Sequence, residues 1–537
     1  MRSLFGVCVV VIAFASVASA QVERPVLDIP DSLVIPGRTT YEQITEGAKE
    51  FAYYGRAFPE ERLDVIEPPQ SVTTLPPLAS KDVFPVPVRH GGVRAASSQI
   101  AAQHYGNILA SGRYLRDWHG YLSSVGGELG GGYGHVDGAG WHRERLSART
   151  RKMLSWWSGY TGEVDLINTR TGVWGMDTTS HRDAYDVAAR VGGDVTVFGD
   201  HRFRVRLEAH QRGVSSPSND ASEQYFDSRL SWQKANGRFF LKGSGRFAYI
   251  NADRDFGTTG AAKLVTVGAE AWTRLEENFG GAMGVTVYSV DYLAGDSLRT
   301  IRPSLSAWAR MFDVKLTARL SSSIEPMGVY RAYRDNTMLD VATPLRMPFS
   351  GVDVDINADL PIGRWNELSA GTRILMIDDY AIWRRTAAGK PYEIELGKRA
   401  RVTTIYSRYF HTWLRGTADV LLLWREHNVQ DTNDPVPFLA DWEAHFATSY
   451  LTSFRNITVT PSVELIGTRS YYDVTTSPAS IGKLDPYYLV NLEMRMPVRR
   501  GWDVGLSVLN MLNQGYDRYD GVRAPGFHVQ MSARKVW

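Results

Sequence analysis

Apolar side chains recur at every second residue in one short segment after another of this chain, and that rhythm limits the fold more than any other feature. In Phe203 to Arg212, Phe203, Val205, Leu207 and Ala209 alternate with Arg204, Arg206, Glu208 and His210. In Tyr185 to Val197 the apolar set is opposed by Asp186, Arg190, Asp194 and Thr196, and in Val352 to Leu360 by Asp353, Asp355, Asn357 and Asp359. From Tyr488 to Val498 the residues between the apolar ones include Asn491, Glu493 and Arg495. A period of two is that of a β-strand with two unlike faces. Charges are too frequent on the second face for a sandwich core, whereas an apolar exterior in lipid and a polar lumen accommodate both faces. Arg204, Arg206, Glu208, Asp353, Asp355, Asp359, Glu493 and Arg495 are therefore the candidate lumen-facing residues.

About 22 such segments follow one another from roughly Val93 to Trp537, each about ten to fifteen residues long, as a tilted bilayer crossing requires. Their connections alternate. Short ones fall near Asp117, Ser155, Asp200, Ala235, Glu277, Met311, Gly363, His411, Phe454 and Arg500, and long ones such as Asn168 to Asp183, Ser322 to Pro348 and Glu426 to Ala440 lie between. Periplasmic turns and extracellular loops of a membrane barrel alternate in this way. Aromatics crowd the short turns, among them Trp118, Trp156, Phe239, Phe240, Trp272, Phe279, Trp365, Trp413, Phe454 and Trp502, which predicts an interfacial girdle there. Backbone groups in hydrocarbon must all be paired, so a sheet this long has to close, first strand on last.

The first 90 residues are different. Residues 1 to 20 have the make-up of a secretory signal, with Arg2, an apolar run from Leu4 to Val17 and Ala18-Ser19-Ala20 as the cleavage site. The single cysteine, Cys8, lies inside it, so the mature chain has neither disulfides nor thiolate metal sites. Residues 21 to 90 hold ten of the 24 prolines and predict an extended periplasmic segment, interrupted by one helix that Thr40 and Gln43 cap and Gly55 ends. Residues 91 to 537 form the barrel. No later run of about 18 apolar residues exists, which excludes a helical span.

Chemistry-bearing motifs are few. Gly295-Asp296-Ser297-Leu298 spells an esterase nucleophile block, but no Asp-x-x-His follows it and it lies between strands. The Asp353 to Asp359 series lacks the Gly and Glu of a calcium loop, with Ala358 and Arg364 in their places. The Gly-rich run Gly126 to Gly140 opens no helix, and the 12 histidines have no metal-ligand spacing. A net charge of +2 gives no reason to invoke nucleic acid. The expectation is a protein that is not an enzyme and has no catalytic residue, metal or cofactor.

The closing segment carries a resemblance. Asn510-Met511-Leu512-Asn513-Gln514-Gly515-Tyr516, then Pro525-Gly526, then a strand ending on Trp537 resembles the last hairpin of the TonB-dependent receptors of bacterial outer membranes, with Phe527 where Arg is usual. Asn510, Asn513, Tyr516, Pro525, Gly526 and Trp537 are the family-like positions. The resemblance implies an all-β transmembrane antiparallel barrel, embedded in outer-membrane lipids and inserted by the barrel-assembly machinery through its last strand. The extension is far shorter than that family's plug, so the expectation is a plugless relative that passes or binds a solute. A periplasmic protein or a separate plug is the expected partner. The alternative is a structural barrel that displays loops and docks periplasmic partners through its extension. Asp31 to Ile35 resembles the family's TonB-engaging segment over five residues.

Overall fold

The computed structural model describes residues 94–536 apart from stretches at the strand connections, the longest of them 325–348. The expected signal, the Pro-rich extension and the helix expected in it, Pro525 and Trp537 lie outside the described residues. The strands are β1 (Arg94–Gln103), β2 (Asn107–Trp118), β3 (Tyr121–Gly132), β4 (Trp141–Ser155), β5 (Ser158–Val173), β6 (Ser180–Val197) and β7 (His201–Ser215). Next come β8 (Asp220–Asn236), β9 (Phe239–Arg254), β10 (Gly260–Glu276), β11 (Phe279–Asp291), β12 (Ser297–Met311), β13 (Val314–Ile324) and β14 (Phe349–Ile362). They are followed by β15 (Asn366–Arg385), β16 (Tyr392–Trp413), β17 (Gly416–Val429), β18 (Trp442–Leu451), β19 (Thr458–Ile466), β20 (Arg469–Asp473) and β21 (Ser480–Leu484). The last are β22 (Tyr487–Val498), β23 (Trp502–Leu509), β24 (Asp517–Tyr519), β25 (Val522–Arg523) and β26 (His528–Val536).

All but the two small hairpins β20–β21 and β24–β25 join one sheet of 22 strands. The ring closes where β1 pairs antiparallel with β26, from Ser97 opposite Val536 to Gln103 opposite Gln530. No wall strand is left with an unpaired edge toward lipid. The short connections occur where the sequence places them. The first segment differs: residues 94–118 form two strands, turned at Gly106 with φ of +68°. Runs of Ala, Ser and Gly there give too little contrast between faces to mark the hairpin.

Several long loops prove shorter than the pattern indicates, because the ladder continues past the end of the alternation. Both β15 and β16 run on to Arg385 and Tyr392, and the 22 residues of β16 reach about 70 Å at the usual rise per residue. That exceeds what a bilayer crossing needs. Beyond the membrane neither face has to be apolar, so the sequence signal fades while the hydrogen bonds persist.

Parity separates the faces. On β12, Ile301 and Leu305 are exposed on the lipid side, and Arg302, Ser304, Ser306 and Trp308 lie between them on the other face. At the short-turn rim Phe239, Phe279, Trp365, Phe454 and Trp502 are exposed on the outside, and Tyr409, His411 and Trp413 stack in a column. Phe240 and Trp272 depart from the expected girdle. They share the parity of Lys242 and Glu270 and meet edge-to-face with ring centroids 6.5 Å apart, inside the barrel. Apolar packing on the inner face gathers in two clusters toward the loop ends. One is Ala248, Ile250, Ala262, Leu264, Tyr288, Val290 and Ile324; the other joins Ile377, Tyr380, Ile382, Ala400, Val402 and Val429 to Val436 of the β17–β18 loop.

Candidate functional site

The inner wall from β4 to β9 is a ladder of ion pairs. Antiparallel register sets Arg190 opposite Glu208, Asp186 opposite Arg212 and Asp194 opposite Arg204, so opposite charges meet across each strand pair. Arg145 forks onto Asp165 at 3.0 and 2.8 Å, and Arg190 donates from Nε to Glu208 at 2.8 Å. Both ring nitrogens of His210 face carboxylates, Nδ1 at 2.8 Å from Asp186 and Nε2 at 2.6 Å from Glu208. Asp227 accepts from Arg229, Arg246 and the Tyr225 hydroxyl at 2.8, 2.7 and 2.8 Å. Asp165, Asp186, Glu223 and Asp227 are all buried, and a buried carboxylate persists in its charged form only with such partners.

A second ladder covers β13 to β17. Asp353, Asp355 and Asp359 share one face of β14, in register with Ser321, Arg319 and Lys315 on β13. Arg373 donates to Asp353 at 2.8 and 2.7 Å, Tyr406 donates its hydroxyl to Asp355 at 3.3 Å, and Ser369 donates to Asp359 at 2.8 Å. The acidic row is thus held by bases and hydroxyls on both neighbouring strands. Among the described residues no three His, Cys, Asp or Glu side chains adopt a metal-binding arrangement. Ser297 of the esterase-like block opens β12 opposite Asp291. On β22, Arg495 donates to Asp503 at 2.5 Å, and Glu493 stands between Thr460 and Ser507.

The family-like closing segment owes its shape to its asparagines. Asn510 and Asn513 adopt φ of +48° and +50°, a left-handed conformation that Asn tolerates better than other residues with a β-carbon. The side chain of Asn510 pins both groups of Gln514, accepting from its N–H and donating to its carbonyl, each at 2.9 Å. Asn513 accepts from the Phe527 N–H at 2.8 Å, and a β-carbon on Gly526 would sit 2.5 Å from that same Asn513 oxygen. Glycine is therefore what lets the loop fold back. Tyr516 stacks on Tyr487 with centroids 4.1 Å apart.

These contacts belong to a mouth that the sequence does not reveal. Val436 donates its N–H to His427 Nδ1 at 3.0 Å, Phe438 donates to the Ser470 carbonyl at 2.7 Å, and Ala440 bridges to Arg469. Buried Arg469 in turn reaches the Asp517 carbonyl at 2.7 Å and lies over the Tyr487 ring, 4.9 Å from its centroid. One arginine thereby joins three loops, those after β17, β19 and β23. Its only sequence signal is a cation next to Tyr471 and Tyr472, a combination common on any loop.

No family model and no curated protein matches the sequence. Solved structures do match the fold. The copper transporter OprC superposes with a TM-score of 0.66 at 10% identity, over 83% of this chain and 80% of that one. The FrpB iron transporter from Neisseria meningitidis gives 0.68 at 8% identity, over 83% and 81%. FpvAI in its complex with pyocin S2 gives 0.63 at 11% identity, over 83% and 70%. At such identities the likeness is one of fold. With its closed ring of 22 strands and an apolar outer face, the chain has the large antiparallel β-barrel fold of these structures.

Proposed function

We propose that the barrel passes or binds a hydrophilic solute across the outer membrane without the plug of the receptors it resembles. The observation that carries this reading is the inner wall. It is lined from β4 to β9 and from β13 to β17 by charges paired with one another along the wall, a surface that water and polar solutes can cross. Proteins of the same fold include a copper transporter and an iron transporter, which supports transport while leaving the cargo of this chain to its own chemistry. Arg204, Arg206, Glu208, Asp353, Asp355, Asp359, Glu493 and Arg495 are the residues such a solute would meet.

Planar-bilayer conductance of the full chain and of a form lacking residues 21–90 tests the proposal. A steady conductance in either form supports passage, and one seen only after truncation assigns the extension the role of occluding the pore. A second reading is a barrel that displays a surface. The loops locked by Arg469 favour it, and a neighbour of this fold carries pyocin S2 in its complex. Silence in both forms, together with saturable binding of a protein at the mouth, selects that reading.

A further inference from the structure

We infer that the inner wall of β7 and β8 carries a binding site for a multiply charged anion, a small solute bearing clustered phosphate or carboxylate oxygens. The inference builds on the passage reading and adds the charge class of the solute. Arg202, Arg204 and Arg206 follow one another on the inward face of β7, roughly 7 Å apart at the strand repeat. Arg206 stands directly opposite Arg229 on β8, and Arg229 opposite Arg246 on β9, so three guanidinium groups occupy one row across three strands. Like charges in that position repel.

Two carboxylates among the described residues make ion pairs with this set. Asp194 takes Arg202 at 3.5 Å and Arg204 at 2.6 Å, while Asp227 takes Arg229 and Arg246. In direct ion pairs among the described residues these five guanidinium groups share two carboxylates, so arginine outnumbers acid on this part of the wall. Glu208, the nearest acid along β7, is already engaged by Arg190 and His210. Arg206 itself is exposed, and Arg204 and Arg229 have side chains 52% and 48% exposed.

The other side of Arg206 is bare. Its partner on β6 is Gly192, whose own partner on β5 is Thr161, so a strip of wall without long side chains adjoins the arginine row. An anion lying there meets the forks of Arg204, Arg206 and Arg229, and the planar fork of arginine matches phosphate and carboxylate oxygens in pairs. Negative charge from a ligand would offset the repulsion that the wall retains.

The test is titration of the detergent-purified full chain with inorganic tripolyphosphate by calorimetry at low salt. The parent should bind, Arg206→Gln and the Arg204→Gln/Arg206→Gln pair should bind at least tenfold more weakly, and Arg170→Gln, which removes a cation from the outer face, should bind like the parent. Failure of the parent to bind, or equal weakening in all three variants, overturns the inference. In planar bilayers, preference for chloride over potassium should fall in the double variant; an unchanged preference also overturns it. A chain that binds tripolyphosphate through these arginines yet conducts nothing refutes passage and upholds the anion site.

Discussion

Replacing Asp227 by Asn keeps the shape of the side chain and removes the charge around which Tyr225, Arg229 and Arg246 are arranged. The cost follows from how far each partner is from water. Arg246, 16% exposed, loses a charge-assisted contact at 2.7 Å, about 2 kcal/mol. Tyr225 exchanges a charged acceptor for a neutral one, about 0.5 kcal/mol. Arg229, 48% exposed, keeps most of its hydration, so its pair counts as a surface one, again about 0.5 kcal/mol. The expected loss is about 3 kcal/mol. Asp194→Asn is the control: its carboxylate is 34% exposed and its partner Arg204 52%, so that change should cost about 0.5 kcal/mol. Urea unfolding in phospholipid vesicles, followed by tryptophan fluorescence, measures both. Equal shifts, or less than 0.5 kcal/mol for Asp227→Asn, would refute the premise that burial on the inner wall sets the strength of these pairs.

Three further outcomes follow from the fold. Leu305→Arg places a charge on the lipid face near the middle of β12 and should cost about 2–4 kcal/mol, whereas Ser304→Arg, one residue earlier and facing inward, should fold normally; unfolding titrations of both variants check the assignment of faces. Gly371→Ala puts a β-carbon 2.6 Å from both the Ile356 carbonyl and the Tyr406 ring, so about 1–3 kcal/mol should be lost and the Tyr406 contact to Asp355 broken, measurable in the same titrations. Arg469→Ala removes a charged hydrogen bond and a cation–π contact, together about 3 kcal/mol of local stability. Amide exchange in the loops after β19 and β23 should accelerate about 100-fold while the wall strands stay unchanged.

What the sequence discloses and what it hides have a common physical origin. Within the membrane each strand must show one face to lipid, so alternation on β7, β14 and β22 reveals both the strands and which side chains share the polar face. Past the membrane that requirement ends, and the upper parts of β15 and β16 look like loop. The pairing of Arg190 with Glu208, or of Arg373 with Asp353, depends on register between strands, which no single segment encodes. Phe240 and Trp272 sit among girdle residues in sequence yet face inward, because parity, and not nearness to a turn, decides the side. Arg469 is invisible for a related reason: its partners, Asp517 and Tyr487, are brought to it by the pairing of β19 with β22 and of β22 with β23.

The inner face changes character along the barrel axis, and this separates two properties of any passage. Toward the loop ends it carries two apolar clusters, with Leu264, Val290, Val429 and Val436 fully buried, and the β17–β18 loop contributes Val436 to that packing. Toward the short turns it is charged and half-exposed, with Arg202 and Arg204 in reach of solvent. A constriction built from packed loops governs size, whereas fixed charge below it governs the sign of the ions admitted. Shortening the β17–β18 loop by removing residues 431–437 should therefore raise single-channel conductance while leaving the ratio of chloride to potassium permeability as it was. The Arg204→Gln/Arg206→Gln chain should do the reverse, keeping conductance nearly constant while selectivity falls. If both changes altered conductance and selectivity together, the mouth and the arginine wall would have to be one site, and the division along the axis would be wrong.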